Sequence, residues 1–268
     1  SSLMAVFYHF GIIQFIIKWI AKAMQKTMGT SGSETLSISA NIFVGQTEAP
    51  LMVRPFISTM TKSELMAVMV GGFATVAGGI LAIYVQWLTD IPGIAGHLLA
   101  ASVMSAPASL VVAKIIYPEL DKSTTQGDLK INIEKTNSNA MEAIASGATD
   151  GLKLAANVAG MLVAFISIIA MFNYLLSFAN TSIDQILGLI FQPLAWTMGI
   201  SWEDSSIVGT LMGKKIAFTE LIAFGDLRNI IENGQISDRS ALIASYALCG
   251  FANFGSIGIQ LGGIGAMA

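Results

Sequence analysis

The chain has 268 residues, 54% of them hydrophobic and 12% charged, with a formal net charge of −3 and a mean hydropathy of +0.68. A soluble domain carries about 25% charged residues, so this composition excludes an ordinary water-soluble domain and points to a lipid bilayer. The slight negative balance gives no sign of a nucleic-acid partner, and the single cysteine, Cys249, excludes an internal disulfide framework and a cysteine-based metal site.

Residues 3–13 are apolar and merge into a segment carrying Lys18, Lys22 and Lys26. The lysines share one helical face opposite Ile12, Ile16, Trp19 and Ile20, which predicts a basic amphipathic helix on the cytoplasmic membrane surface. His9, at the edge of the first apolar run, reads as a packing residue. Two short apolar arms follow, about Ser33 to Val44 and Leu51 to Met60, joined by the polar hexapeptide Gly45-Gln46-Thr47-Glu48-Ala49-Pro50. At ~1.5 Å per residue neither arm spans a ~30 Å hydrocarbon core, so together they predict a re-entrant hairpin with its tip near mid-membrane. Non-helical backbone at that depth survives only against protein or water, which makes the tip a candidate site. The competing reading is one long kinked helix with Glu48 paired to a neighbour.

An apolar span then runs from Leu65 to about Trp87, with four glycines in its centre, Gly71-Gly72-Phe73-Ala74-Thr75-Val76-Ala77-Gly78-Gly79. Small residues there either let helices approach closely or interrupt the helix so that freed carbonyls can hold a cation. Beside the hairpin, interruption is the expected reading. Asp90-Ile91-Pro92-Gly93 turns the chain into a span from about Gly96 to Tyr117, with a kink expected at Pro107. Residues 118–150 hold six acids and three lysines and read as a solvated cytoplasmic connection with a short amphipathic helix around Asn139 to Ala148. Leu152 to Ala179 is hydrophobic all round, as a scaffold helix facing lipid or a neighbouring subunit would be.

Ile183 to Met198 reads as an interfacial segment broken by Pro193. A second short arm, Asp204 to Ala217, leads to the polar tip Thr219-Glu220, and Leu221 to Phe224 begins the returning arm. Lys214 and Lys215 either pair with Glu220 or line a water-filled path. The polar stretch Asp226 to Arg239 precedes a last apolar run, Ala241 to Ala268, whose Gly-rich centre contains Asn253 and Ser256 three residues apart and therefore on one helical face.

The halves correspond. Each Thr-Glu tip precedes a Gly-rich apolar centre, 27 residues separating Glu48 from Thr75 and 33 separating Glu220 from Asn253. Three spans lie between the two hairpins, so the hairpins enter from opposite sides and the repeats are inverted. Their tips would bring Gln46, Thr47, Glu48, Glu220, Asn253 and Ser256 into one polar pocket. Carboxylates, amides and hydroxyls without a basic cluster suit an uncharged polyhydroxylated or heterocyclic solute rather than a phosphate. The expected fold class is all-α, a polytopic membrane protein with two inverted repeats, each a re-entrant helical hairpin followed by an interrupted transmembrane helix. The expected divisions are a scaffold helix over 1–13, a first transport repeat over 14–117, a cytoplasmic connection and scaffold helix over 118–180, and a second transport repeat over 181–268. An ion channel would share the hairpins, and a purely structural subunit would not need the paired polar tips. An enzyme is not expected, because Glu48 and Glu220 are the only acids deep in apolar surroundings and no nucleophile with a base accompanies them.

Gly45-Gln46-Thr47-Glu48-Ala49-Pro50-Leu51, Gly71-Gly72-Phe73-Ala74-Thr75 and Cys249-Gly250-Phe251-Ala252-Asn253-Phe254-Gly255-Ser256 together resemble the concentrative nucleoside transporter family. The resemblance implies a bacterial homotrimer in the inner membrane that moves nucleosides such as uridine by cation-driven symport with elevator-like alternating access. It also implies a fragment that lacks the family's first helices and its final one. By the resemblance Gln46 and Thr47 contact the nucleobase, Glu48 assists through water, Glu220, Asn253 and Ser256 hold the ribose, and Phe251 walls the pocket. Sodium would sit among oxygens of Asn41, Val44, Thr75 and Val76, as a hard cation requires, with a proton as the alternative coupling ion. The second tip departs from the family's common Asn-Glu-Phe, reading Thr219-Glu220-Leu221.

Overall fold

The computed structural model describes residues 6, 9–126, 139–178 and 180–265, and among these residues there is helix and no strand. Packing divides the chain into two compact units, one formed by residues 1–79, 103–159 and 259–268, the other by residues 80–102 and 160–258.

In the first unit, α1 (Ile12–Met28) buries Ile17, Ala21 and Met24. These positions recur at helical spacing, and Lys18, Lys22 and Lys26 stay exposed on the other side. Ile12, Ile16 and Trp19, on the face read as lying against the membrane, are exposed in this chain. All ten residues of α2 (Gly32–Asn41) are buried. Leu36 and Ala40, one turn apart, pack with Ala49, Val53 and Val68, whereas Ile38 and Ile42 pack with Ala67, Ala106 and Leu110. A short helix clad in apolar side chains on two sides can carry three serines inward only because they are small.

A polar knot anchors the start of α2. The carboxylate of Glu34 accepts a hydrogen bond from the Ser31 N–H at 2.8 Å and pairs with Lys114 at 2.8 Å. Glu64 caps α5 (Lys62–Ala74) through the Thr61 N–H at 2.9 Å, and its other oxygen accepts from Ser33 and Thr125, each at 3.1 Å, and from Ser123. Both acids are almost wholly buried, and buried charge is tolerable only with this degree of pairing and hydrogen bonding.

The arm expected from Leu51 to Met60 is not one helix. It consists of two single turns, α3 (Glu48–Leu51) and α4 (Arg54–Ile57), because Pro50 and Pro55 each lack the N–H that a continuous ladder would need. After α5 the chain is extended at Thr75 and resumes as α6 (Gly78–Trp87), so the Gly-rich span is broken over residues 75–77. The stretch Lys62–Trp87 and α7 (Ile94–Ile116) are long and apolar enough to cross a membrane. Pro107 lies within α7.

Two further expectations need correction. The helix begun at Ala140 does not stop near residue 148 but continues as α8 (Ala140–Ser177), since no proline intervenes. Pro193 does not break its segment either: α9 (Ile183–Thr197) runs through it, forfeiting the one hydrogen bond that proline cannot donate.

In the second unit, α9 lies against α10 (Trp202–Ala217) at unusually close range. A Cβ on Gly209 would stand 2.6 Å from the Gly188 carbonyl oxygen, so small residues set this contact. α11 (Glu220–Glu232) follows after only Phe218 and Thr219, and extends into the polar stretch that begins at Asp226. Lys214 and Asp226 form an ion pair across the two helices. The last apolar run is split into α12 (Asp238–Leu248) and α13 (Phe254–Gly265). Between them Gly250 takes φ 101°, a left-handed conformation that favours glycine.

Candidate functional site

In the first unit, the tip is a run of turns between α2 and α3. The Ala49 and Glu48 N–H groups both bond the Gly45 carbonyl, at 3.0 and 3.2 Å. The Glu48 carboxylate folds back over Gly45, where a Cβ would lie 2.2 Å from its Oε2, and accepts from the Thr47 hydroxyl at 3.0 Å. Glu48 is exposed in the chain, whereas Gln46 is buried and its Oε1 accepts a hydrogen bond from Gln260 Nε2 at 3.1 Å. Of the three predicted substrate contacts on this short loop, Thr47 and Glu48 are thus bonded to each other and Gln46 is held by Gln260.

The break at residues 75–77 is tied to that loop by the Gly78 N–H, which donates to the Phe43 carbonyl at 3.2 Å. The expected cation donors Asn41, Val44, Thr75 and Val76 flank this tie. Asn41 is 1% exposed, and neither its Oδ1 nor its Nδ2 has a hydrogen-bond partner among the described residues. A buried amide with both ends unmatched costs free energy, and its oxygen is what a hard cation takes. The end of α5 also leaves carbonyls without a helical partner. The donor set therefore fits a sodium ion.

In the second unit, Glu220 is the first residue of α11, where the helix dipole favours a negative charge. Its Oε1 accepts from the Tyr84 hydroxyl at 3.2 Å and its Oε2 from Asn253 Nδ2 at 3.0 Å. The other end of the Asn253 amide accepts from the Ser256 N–H at 2.8 Å. These bonds fix the orientation of both side chains. A carboxylate has about four acceptor directions, so these bonds leave room for a hydroxyl donor of a ligand. Phe251 is half-buried beside the same break.

Sequence reasoning missed two residues that organise these groups, Tyr84 and Gln260, and left the role of a third, Lys215, open. Tyr84 is fully buried, stacked on Phe224 with ring centroids 4.0 Å apart and planes at 17°, and Phe224 lies one turn beyond Glu220 on α11. The signal was a tyrosine inside an apolar span, whose hydroxyl needs a polar partner. Lys215 directs its Nζ to the carbonyls of Ala247 and Cys249, donating to them at 3.2 and 2.8 Å and capping α12 where the chain breaks. Gln260 had no sequence signal beyond being polar within an apolar run.

Among the described residues, helices alone, two stretches long and apolar enough to cross a membrane, two broken helices, and buried carboxylate, amide and hydroxyl groups at the breaks define a helical protein of the polytopic type with polar groups set in apolar surroundings. The description "Na+ dependent nucleoside transporter C-terminus" matches residues 97–268, and "Nucleoside recognition" matches residues 1–89. The whole chain is 41% identical to an uncharacterized transporter of Haemophilus influenzae, of which it spans 66%, and to sodium/nucleoside cotransporter 1 of Mus musculus, of which it spans 44%. Its fold matches CNTnw in an inward-facing substrate-bound state with a TM-score of 0.89 and 44% identity, over the full chain and 64% of that protein. The chain belongs to the concentrative nucleoside transporter family, whose relatives here are named as transporters and not as enzymes.

Proposed function

We propose that this chain supplies the substrate- and cation-binding elements of a multi-pass membrane transporter that takes up nucleosides such as uridine by symport with sodium. The observation that carries this reading is the Tyr84–Glu220–Asn253–Ser256 chain of hydrogen bonds, a buried, preorientated acceptor set suited to ribose hydroxyls. Glu220, Asn253 and Ser256 would hold the ribose and Phe251 would wall it. Gln46 and Thr47 would meet the base, with Glu48 acting through water. Losing one buried contact of this kind strands a polar group at about 1–3 kcal/mol, or roughly 5- to 150-fold in affinity.

Asn41, Val44, Thr75 and Val76 would hold sodium, whose charge would favour the closed, substrate-ready tip; a proton is the alternative coupling ion. Support for sodium comes from the unmatched Asn41 amide and from the relatives named sodium/nucleoside cotransporters. The two polar tips read as re-entrant hairpins of inverted repeats over 14–117 and 181–268, moving elevator-fashion against a scaffold formed by 1–13 and 118–180, in a homotrimer of a bacterial inner membrane. The test is uridine uptake by the full-length protein in proteoliposomes, with sodium and pH gradients imposed separately. Glu220→Gln and Asn253→Ala should abolish uptake while trimer assembly persists. Normal uptake by either variant refutes the assignment.

A further inference from the structure

We infer that Gln260 is a positioning residue that sets which end of the Gln46 amide is turned toward the nucleobase, an inference that rests on the proposed contact between Gln46 and the base. Gln260 Nε2 donates to the backbone carbonyl of Met69 at 3.1 Å and to Gln46 Oε1 at 3.1 Å. A backbone carbonyl can only accept, so the end of Gln260 that faces Met69 must be its NH2 group. That group has two hydrogens, and the second is directed at Gln46, whose facing atom must therefore be oxygen. Reversing Gln260 would set oxygen against oxygen at Met69, and reversing Gln46 would set NH2 against NH2. One main-chain acceptor thus fixes both amides, and the Gln46 NH2 end is directed away from Gln260.

Packing supports the same arrangement. Met69 and Gly72 lie on one face of α5, and a Cβ on Gly72 would stand 2.3 Å from Gln260 Nε2 and 3.2 Å from Gln46 Cβ. The two amides therefore cross the helix where glycine alone leaves room. Gln260 is 1% exposed. Ile264, one turn further along α13, is packed with Leu36, Ala49 and Val68, so the backbone carrying Gln260 is anchored by apolar contacts independent of its hydrogen bonds. An amide held in this sense selects a base that turns a carbonyl acceptor to it, as uridine does at position 4, over one that turns an amino donor there, as cytidine does.

The experiment is equilibrium binding to purified full-length transporter of wild type, Gln46→Ala, Gln260→Leu and the double variant, with uridine, cytidine and 2′-deoxyuridine as ligands. Gln260→Met, closer in volume to glutamine, is carried in parallel so that a folding defect of the leucine variant does not decide the result. Gln260→Leu or Gln260→Met is expected to weaken uridine binding about tenfold, to alter the uridine-to-cytidine ratio, and to leave the uridine-to-2′-deoxyuridine ratio unchanged. In the Gln46→Ala background the same change should have no further effect. If Gln46→Ala is damaging but the Gln260 variants are harmless, additive with it, or shift both ratios alike, the positioning role is overturned and the base contact stands. If Gln46→Ala binds uridine as wild type does, the base contact itself is overturned, and the inference with it.

Discussion

Replacing Tyr84 by phenylalanine isolates one bond of the Glu220 set. The ring keeps its stacking on Phe224, 4.0 Å away, so packing is conserved and only the hydroxyl is lost. A hydrogen bond to a charged group contributes about 1.5–3 kcal/mol, but at 3.2 Å this one is longer than the usual O–H···O distance. Asn253 also still holds the second oxygen at 3.0 Å. The expected cost to uridine affinity is therefore about 1–1.5 kcal/mol, or roughly 5- to 12-fold. Titration calorimetry of the purified full-length protein measures it, with 2′-deoxyuridine as a second ligand. Wild-type affinity for uridine in Tyr84→Phe would show that the hydroxyl does not orient Glu220. A loss confined to thermal stability would reduce the pair to a packing contact.

Asn41→Leu removes an amide with no partner among the described residues, so it should leave the sodium-free protein as stable or raise its Tm, while sodium stimulation of uptake falls at least about tenfold; a Tm scan with and without sodium separates the two effects. Lys215→Met strips the donor from the Ala247 and Cys249 carbonyls and should cost about 1–3 kcal/mol, read as a lower Tm and weaker nucleoside binding. Lys214→Met, which loses only the part-exposed pair with Asp226, should move Tm little. Gly72→Ala inserts a methyl group 2.3 Å from Gln260 Nε2. Overpacking of about 1–3 kcal/mol should reduce uridine affinity while expression is retained.

The features legible in the sequence were those that local chemistry dictates. Gly-rich centres marked where the helices break, at residues 75–77 and between Leu248 and Phe254, and Thr219-Glu220 marked a helix start because threonine caps and the acid complements the dipole. Prolines were less faithful guides. Pro50 and Pro55 divided an arm into single turns, yet Pro193, where a break was expected, sits inside a continuous helix, since neighbouring packing can outweigh one missing hydrogen bond. The residues that orient the site escaped notice for a different reason. Tyr84 meets Glu220 across 136 positions and Gln260 meets Gln46 across 214, and no periodicity or spacing records partners that far apart. Lys215 was noticed, but its role depended on where α12 ends, which only the packed structure supplies.

That long separation has a consequence for how the protein is made. Chains emerge from the ribosome at about 5–20 residues per second, so roughly 10–40 s pass between synthesis of Gln46 and arrival of its partner 214 positions later. Throughout that interval Gln46 lacks the hydrogen bond that Gln260 later donates. The nascent chain therefore has to tolerate a loop whose bond to Gln260 forms only after 214 further residues have been made. A chain halted before Gln260 would carry the first loop without that bond.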